Sequence, residues 1–134
     1  MKGFVYYGYD PNDPTIKKIG YTRKPMERRK QQAPKQHKFG IYLGFGIPDD
    51  IGIPDHLIEP LLKAVEARAQ FLLLRKYDGL YMPQYSHDWM RGDMATMQKI
   101  DNEGGVEKAI YQAFIDTMPS LQGHIKVEYL SQGE

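Results

Sequence analysis

The chain has 134 residues, 41% of them apolar, and contains no cysteine. These values suit one globular domain and exclude disulfides, thiolate metal sites and cysteine nucleophiles. The net charge of +1 is unevenly distributed, because residues 1–45 carry ten Lys/Arg against three Asp/Glu whereas residues 46–134 carry eight against fourteen. A basic front half favours a partner rich in phosphate, such as a nucleic acid, over an uneven distribution without functional meaning.

No stretch approaches the roughly 18 apolar residues that span a bilayer, and the first residues show no apolar segment followed by a cleavage site. We therefore expect a cytoplasmic protein without a membrane partner. No repeat or linker divides the sequence. The prediction is a single domain over 1–134, with a core at about 3–90 and with 91–134 completing the fold.

The first thirty residues predict a β-hairpin followed by a short helix. Aromatic and β-branched residues at 4–9 and 16–21 are typical of strands, and they flank residues 10–14, which are rich in Pro, Asn and Asp. Thr22 suits a helix N-cap, so we expect a helix over about 25–32 that ends before Pro34.

Residues 39–47 predict a third strand, because apolar side chains alternate there with glycine and tyrosine. Its apolar face should consist of Phe39, Ile41, Leu43, Phe45 and Ile47. The opposite face is mostly glycine, which favours close approach either by a ligand or by a tightly covering helix.

Helical periodicity predicts the longest helix over 57–77. Glu59 and Glu66 should lie within about 20° of each other on one flank of its apolar stripe. Residues 81–90 are expected to be irregular, 93–100 and about 106–118 helical, and 125–129 a last strand. The predicted fold is α+β: a small, mostly antiparallel central sheet, made from the hairpin and the third strand and flanked by helices. Trp89 and Phe114 should belong to the core.

The sequence lacks the motifs of several common catalytic and metal-binding sites. The four histidines have no i, i+4 pairing, which argues against a zinc site, and neither a phosphate-binding loop ending in Lys-Ser/Thr nor a Gly-x-Ser-x-Gly elbow occurs. Tyrosine, arginine and glutamate remain. Hydrolysis of a phosphodiester needs a base for water, a cation for the phosphate oxygens and a carboxylate-bound metal, and these three residue types can supply them.

Phe4-Val5-Tyr6, Lys18-Ile19-Gly20 and Arg28, eight positions after that glycine, resemble the pattern of the GIY-YIG nucleases. The likeness is to the branch whose second motif begins with lysine, often seen in phage and mobile-element proteins. Family members begin with a hairpin that carries both motifs. An arginine-bearing helix, a third strand and a longer helix with a metal-binding glutamate follow. The predicted order is the same here, and Glu66 best matches that glutamate.

The resemblance implies a divalent-metal-dependent DNA endonuclease. Tyr6 would activate or position the attacking water, and Lys18 would lower the pKa of Tyr6 from a place where many members have a second tyrosine. Arg28 would bind the scissile phosphate, and Glu66 would hold one Mg²⁺ or Mn²⁺ ion. Tyr7, one residue along and pointing to the other face, is the alternative active tyrosine.

Further DNA contacts are expected from Gly20, Tyr21, Arg29, Lys30, Lys35 and Lys38. Gln32 and Gln70 depart from the family, because many members have histidine at these positions. Two alternatives follow: a DNA-binding module that has lost catalysis, and a phage protein-interaction factor whose acidic half contacts a partner. The residues also have structural interpretations, as strand aromatics, a solvated basic helix face and a surface glutamate beside Lys63. A homodimer stays open, since double-strand cleavage usually needs two active sites.

Overall fold

The computed structural model describes residues 1–24, 40–84 and 89–129. Within these ranges the chain has the predicted α+β fold, an open five-stranded antiparallel sheet with three α-helices. The strands are β1 (Gly3–Asp10), β2 (Asp13–Thr22), β3 (Gly40–Ile47), β4 (Trp89–Arg91) and β5 (Lys126–Tyr129). The helices are α1 (Asp55–Lys76), α2 (Met94–Glu103) and α3 (Gly105–Thr117), followed by a 3-10 turn at Pro119–Leu121. The strand order is β4-β2-β1-β3-β5, so β1 lies at the centre.

The hairpin turn is shorter than predicted. β2 already begins at Asp13, so Pro14 lies in a strand although the sequence placed it in the turn. The register shifts between Tyr9 and Asp10, which pair with Lys17 and Asp13. Pro14 therefore falls in an irregular part of the ladder, where its missing N–H breaks no regular β1–β2 pair.

A β-bulge at Tyr42 divides the side chains of β3 between two faces. Tyr7 pairs with Leu43 and Gly8 pairs with Ile41, so Tyr42 is an extra residue on β3. Because one inserted residue reverses the alternation of side chains, Ile41 lies on the face opposite Leu43. The prediction that Ile41 shares the apolar face of Leu43 is therefore wrong.

The sheet has two different faces. The helix face packs under α1, α2 and α3 in the main core, which includes Val5, Tyr7, Ile19, Leu43, Phe45, Leu62, Ala69 and Phe114. The Tyr6 face carries a smaller cluster of Phe4, Tyr6 and Ile41, with Trp89 packed against it. The expectation that Phe114 is a core residue is confirmed. Trp89, also expected in the core, is only half-buried and packs against the smaller cluster.

The helices begin and end within a few residues of their predicted limits. Asp93 caps α2, because its carboxylate accepts a hydrogen bond of 2.7 Å from the backbone N–H of Thr96. Gly104, with a φ of 63°, separates α2 from α3. β4 was missed, since residues 81–90 were predicted to be irregular. None of the helices in the described ranges is long and apolar enough to cross a bilayer.

Candidate active site

Tyr6 and Gly20 are directly opposite each other on neighbouring strands. The aromatic ring of Tyr6 lies across the glycine, so that a Cβ atom on Gly20 would be 2.5 Å from both Cζ and the hydroxyl oxygen of Tyr6. Tyr6 is 1% exposed. Gly20 was predicted to allow close approach of DNA, but the space beside its Cα is filled by the tyrosine. Because Gly20 has no side chain, the Tyr6 ring can lie across β2 with its hydroxyl next to Gly20.

Lys18 lies on the same face as Tyr6. It pairs with Gly8 in β1 and with Trp89 in β4, and it is two residues from Gly20, which places it diagonally from Tyr6 on one sheet face. Its ammonium is 5.7 Å from the centre of the Trp89 ring, within the range of a cation–π interaction. Lys18 is 7% exposed. Lys18 and Tyr6, which the sequence placed in one site, therefore lie on the same face of the sheet.

One stripe of side chains on α1, which includes Glu59 and Gln70, faces β2. The Tyr21 hydroxyl donates to Glu59 at 3.3 Å, and the Gln70 side-chain amide donates to the Ile19 carbonyl at 3.3 Å. Glu59, Glu66 and Gln70 lie within about 40° of one another around the helix. Glu66, which is half-buried, lies on this stripe between Glu59 and Gln70.

Tyr6 and the helix that carries Glu66 both lie against β2. The Tyr6 hydroxyl reaches Gly20 across the Tyr6 face, while α1 packs on the helix face and contacts Tyr21 and Ile19. Among the described residues, β4 pairs with β2 at Ile16–Lys18. The sequence placed Tyr6 and Glu66 in one site; the structure puts the Tyr6 ring and α1 on opposite faces of the same strand.

The expected arginine and most of the expected basic DNA contacts lie outside the described residues. These are Arg28, Arg29, Lys30, Lys35 and Lys38, together with Gln32, Phe39 and the predicted helix over 25–32. The described part of the site is therefore formed by the hairpin, β4 and α1.

Tyr7, the alternative active tyrosine, belongs to a different polar cluster on the helix face. Its hydroxyl donates to Asp101 at 3.1 Å and accepts a hydrogen bond of 2.6 Å from the Lys17 ammonium. Burial, together with the Asp101 carboxylate, raises the pKa of the Tyr7 phenol well above its usual range. A phenol held in the neutral form is a poor base, which argues against Tyr7 as the active tyrosine.

Tyr21 is on the helix face, since it pairs with Val5 and bonds to Glu59 on α1. The sequence grouped it with the DNA contacts. The structure separates it from the face that carries Tyr6 and Lys18, because neighbouring residues of a strand point to opposite faces.

No group of three or more His, Asp or Glu side chains that could hold a metal is found among residues 1–24, 40–84 and 89–129. A site of Mg²⁺ is compatible with this finding, because Mg²⁺ keeps several waters and is often held by one or two carboxylates and the substrate phosphates. The donor chemistry of Glu66 fits one such ion.

The glycine-rich side of β3 has a structural explanation. A Cβ atom on Gly46 would be 2.8 Å from the Phe4 ring. Aromatic residues of β1 thus occupy the space that glycine leaves on the neighbouring strands, Phe4 over Gly46 and Tyr6 over Gly20. The group that covers Gly46 is therefore an aromatic side chain of the neighbouring strand, and not the ligand or the helix that the sequence suggested.

Sequence reasoning missed two residues of this site. Trp89 was assigned only to the core, yet it contacts Lys18. It lies in a strand of three residues, which is too short to give a periodic signal. Gln70 was treated as a departure from the family, yet it bonds to the Ile19 carbonyl and so fixes α1 against β2. Its i+4 spacing from Glu66 was the available signal.

Comparison of the chain with protein-family models, with curated proteins and with solved structures gives no match.

Proposed function

We propose that this chain is a divalent-metal-dependent DNA endonuclease of the GIY-YIG type. The proposal is supported by the placement of the Tyr6 ring across Gly20 in the hairpin and by the stripe of α1 that carries Glu66 and contacts β2 through Glu59 and Gln70. The order of hairpin, third strand and long helix agrees with the motif resemblance. The net charge of +7 over residues 1–45 favours a phosphate-rich substrate in the cytoplasm.

In this proposal each residue has a distinct role. Tyr6 positions the attacking water and accepts its proton, and the Lys18 ammonium, on the same face, favours the charged form of the phenol. Arg28 binds the scissile phosphate with its planar, two-pronged donor group. Glu66 holds one Mg²⁺ or Mn²⁺ ion, which stabilises the negative charge that develops on the phosphate.

The remaining basic residues of the front half supply contacts that do not depend on DNA sequence. Arg29, Lys30, Lys35 and Lys38 would bind the phosphate backbone, so affinity should fall as the salt concentration rises. Tyr21 has no role in this proposal, because its hydroxyl donates to Glu59.

Cleavage of supercoiled plasmid with Mg²⁺ or Mn²⁺ tests the proposal. Glu66→Gln should slow nicking by roughly 100-fold or more, the size of effect expected from loss of an electrostatic catalytic group. Glu59→Gln is a matched control, because Glu59 lies on the same stripe of α1 two turns earlier, and it should leave the rate within about twofold. Equal rates for wild type and Glu66→Gln, or no cleavage by the wild type of any DNA substrate, would contradict the proposal.

The burial of Tyr6 supports one second candidate, a DNA-binding module without catalysis. A base must meet the attacking water, and Tyr6 is 1% exposed. The binding module predicts salt-dependent retention of DNA without strand breaks, and retention that Glu66→Gln leaves unchanged. A nicking rate that depends on Glu66 rules this candidate out.

A further inference from the structure

β5 is the last strand of the sheet on the side away from β2 and β4. It pairs with β3 on one side, and no other strand of the described residues pairs with it. Val127 is 42% exposed and Tyr129 is 76% exposed. An edge strand with exposed apolar side chains is a template for adding a strand from another chain.

The sequence of β5 is complementary to itself when two copies run antiparallel. If Val127 lies opposite its own copy on a two-fold axis, Lys126 of each strand lies opposite Glu128 of the other. Ile125 then lies opposite Tyr129, which gives two apolar pairs. Opposite charges in directly facing positions stabilise antiparallel strands, whereas the run of like charges that commonly protects an edge would repel a second copy.

We propose that β5 is a homodimer interface in which two copies pair antiparallel about Val127. The occupant is a second copy of this chain, because the charges and the apolar residues of the strand match one another in this single register. Four-residue strands bury less surface than the roughly 1,000 Å² of stable interfaces. The dimer should therefore be weak and should depend on protein concentration.

Such a dimer would join the two five-stranded sheets into a single ten-stranded sheet. Antiparallel pairing in the plane of a sheet keeps corresponding faces on the same side of the joined sheet, while the twist of about 20–25° per strand turns the two Tyr6 faces relative to each other. The two Gly20 segments lie on the β2 strands, seven strand spacings or about 34 Å apart. The interface itself does not depend on catalysis.

Single cysteines test the register, since the chain contains no cysteine of its own. Val127→Cys places two thiols opposite each other on the axis, within the range of a disulfide. Tyr129→Cys is the matched control, because its two copies would be about 13 Å apart in this register. Under mild oxidation without DNA or metal, Val127→Cys should give mostly covalent dimer and Tyr129→Cys little. Equal cross-linking of both variants, or none of Val127→Cys, would overturn the proposal.

A charge exchange supplies the second test. Glu128→Lys and Lys126→Glu each create facing like charges and should weaken dimerisation at least about fivefold in analytical ultracentrifugation. The double exchange Lys126→Glu with Glu128→Lys restores opposite charges and should restore the wild-type dissociation constant. Failure of the double exchange to recover dimerisation contradicts the facing of Lys126 and Glu128. Because no readout here involves cleavage, an inactive protein that dimerises in this way would count against the proposed function alone.

Discussion

Substitution of Gly20 by alanine should displace the Tyr6 ring. The new methyl group would lie 2.5 Å from both Cζ and the hydroxyl oxygen of Tyr6, whereas carbon atoms in contact are normally about 3.5–4.0 Å apart. The ring is buried, so it cannot turn away without moving its neighbours. Overpacking of this kind destabilises a core by about 1–3 kcal/mol, and we expect Gly20→Ala to lower the free energy of unfolding by about 2 kcal/mol.

Urea denaturation measures this change. Fluorescence is a suitable signal, because Trp89 is the only tryptophan and packs against the Tyr6 cluster. Gly52→Ala is the control, since a Cβ atom there would meet nothing within 4 Å, and it should change the free energy of unfolding by less than about 0.5 kcal/mol. Adding Tyr6→Ala should relieve the clash, so the double variant should be more stable than the sum of the two single effects. If Gly20→Ala is as stable as Gly52→Ala, the Tyr6 ring does not lie across Gly20.

Three further predictions concern the helix side of the sheet. Asp101→Asn removes the counter-charge that lies 2.7 Å from the buried Lys17 ammonium, and it should destabilise the protein by about 2 kcal/mol in urea denaturation. Gly104→Ala should destabilise it by about 1 kcal/mol in the same assay, because Gly104 has a φ of 63°. Tyr77 donates to Glu103 at 2.7 Å, and burial with this hydrogen bond raises the pKa of Tyr77 to about 12. The stabilisation from the neutral phenol is complete below the ordinary pKa of 10.0 and is lost as the pH rises toward 12. As the pH rises from 10 toward 12, the free energy of unfolding should therefore fall less for Tyr77→Phe than for the wild type.

Each of these predictions has a comparison that could refute it. Asp49→Asn breaks an exposed ion pair with the N-terminal ammonium and should change stability by less than about 0.5 kcal/mol. An equal effect of Asp101→Asn and Asp49→Asn would show that Lys17 does not depend on its counter-charge. Gly52→Ala serves in the same way for Gly104→Ala. Equal alkaline loss of stability in Tyr77→Phe and in the wild type would contradict the raised pKa.

Local patterns made the hairpin and the helices predictable. Strand-forming residues at 4–9 and 16–21, and an apolar stripe repeating every three to four residues in α1, are properties of neighbouring residues, so they can be read without knowing the fold. The flank shared by Glu59 and Glu66 follows from helical geometry alone. The structure confirms the α+β class and adds that this flank faces β2.

Features that depend on distant contacts could not be predicted. Alternation shows that Tyr6 and Tyr7 point to opposite faces, but not which face the helices cover. The ion pair of Lys17 with Asp101 joins residues that are 84 positions apart, and no local pattern indicates it. The bulge at Tyr42 is visible only in the pairing of β3 with β1, and that bulge moves Ile41 to the Tyr6 face.

The central claim is that Tyr6 and Glu66 share one divalent-ion site at Gly20. Paramagnetic Mn²⁺ broadens nuclear resonances within a short distance, so NMR of ¹³C-labelled tyrosine, with the Tyr6 signal assigned from Tyr6→Phe, tests this claim directly. Mn²⁺ should broaden Tyr6 strongly and leave the exposed Tyr111 of α3 unchanged, and Glu66→Gln, but not Glu59→Gln, should abolish the effect. A Tyr6 signal that Mn²⁺ leaves sharp, or that broadens equally in Glu66→Gln, would contradict the claim.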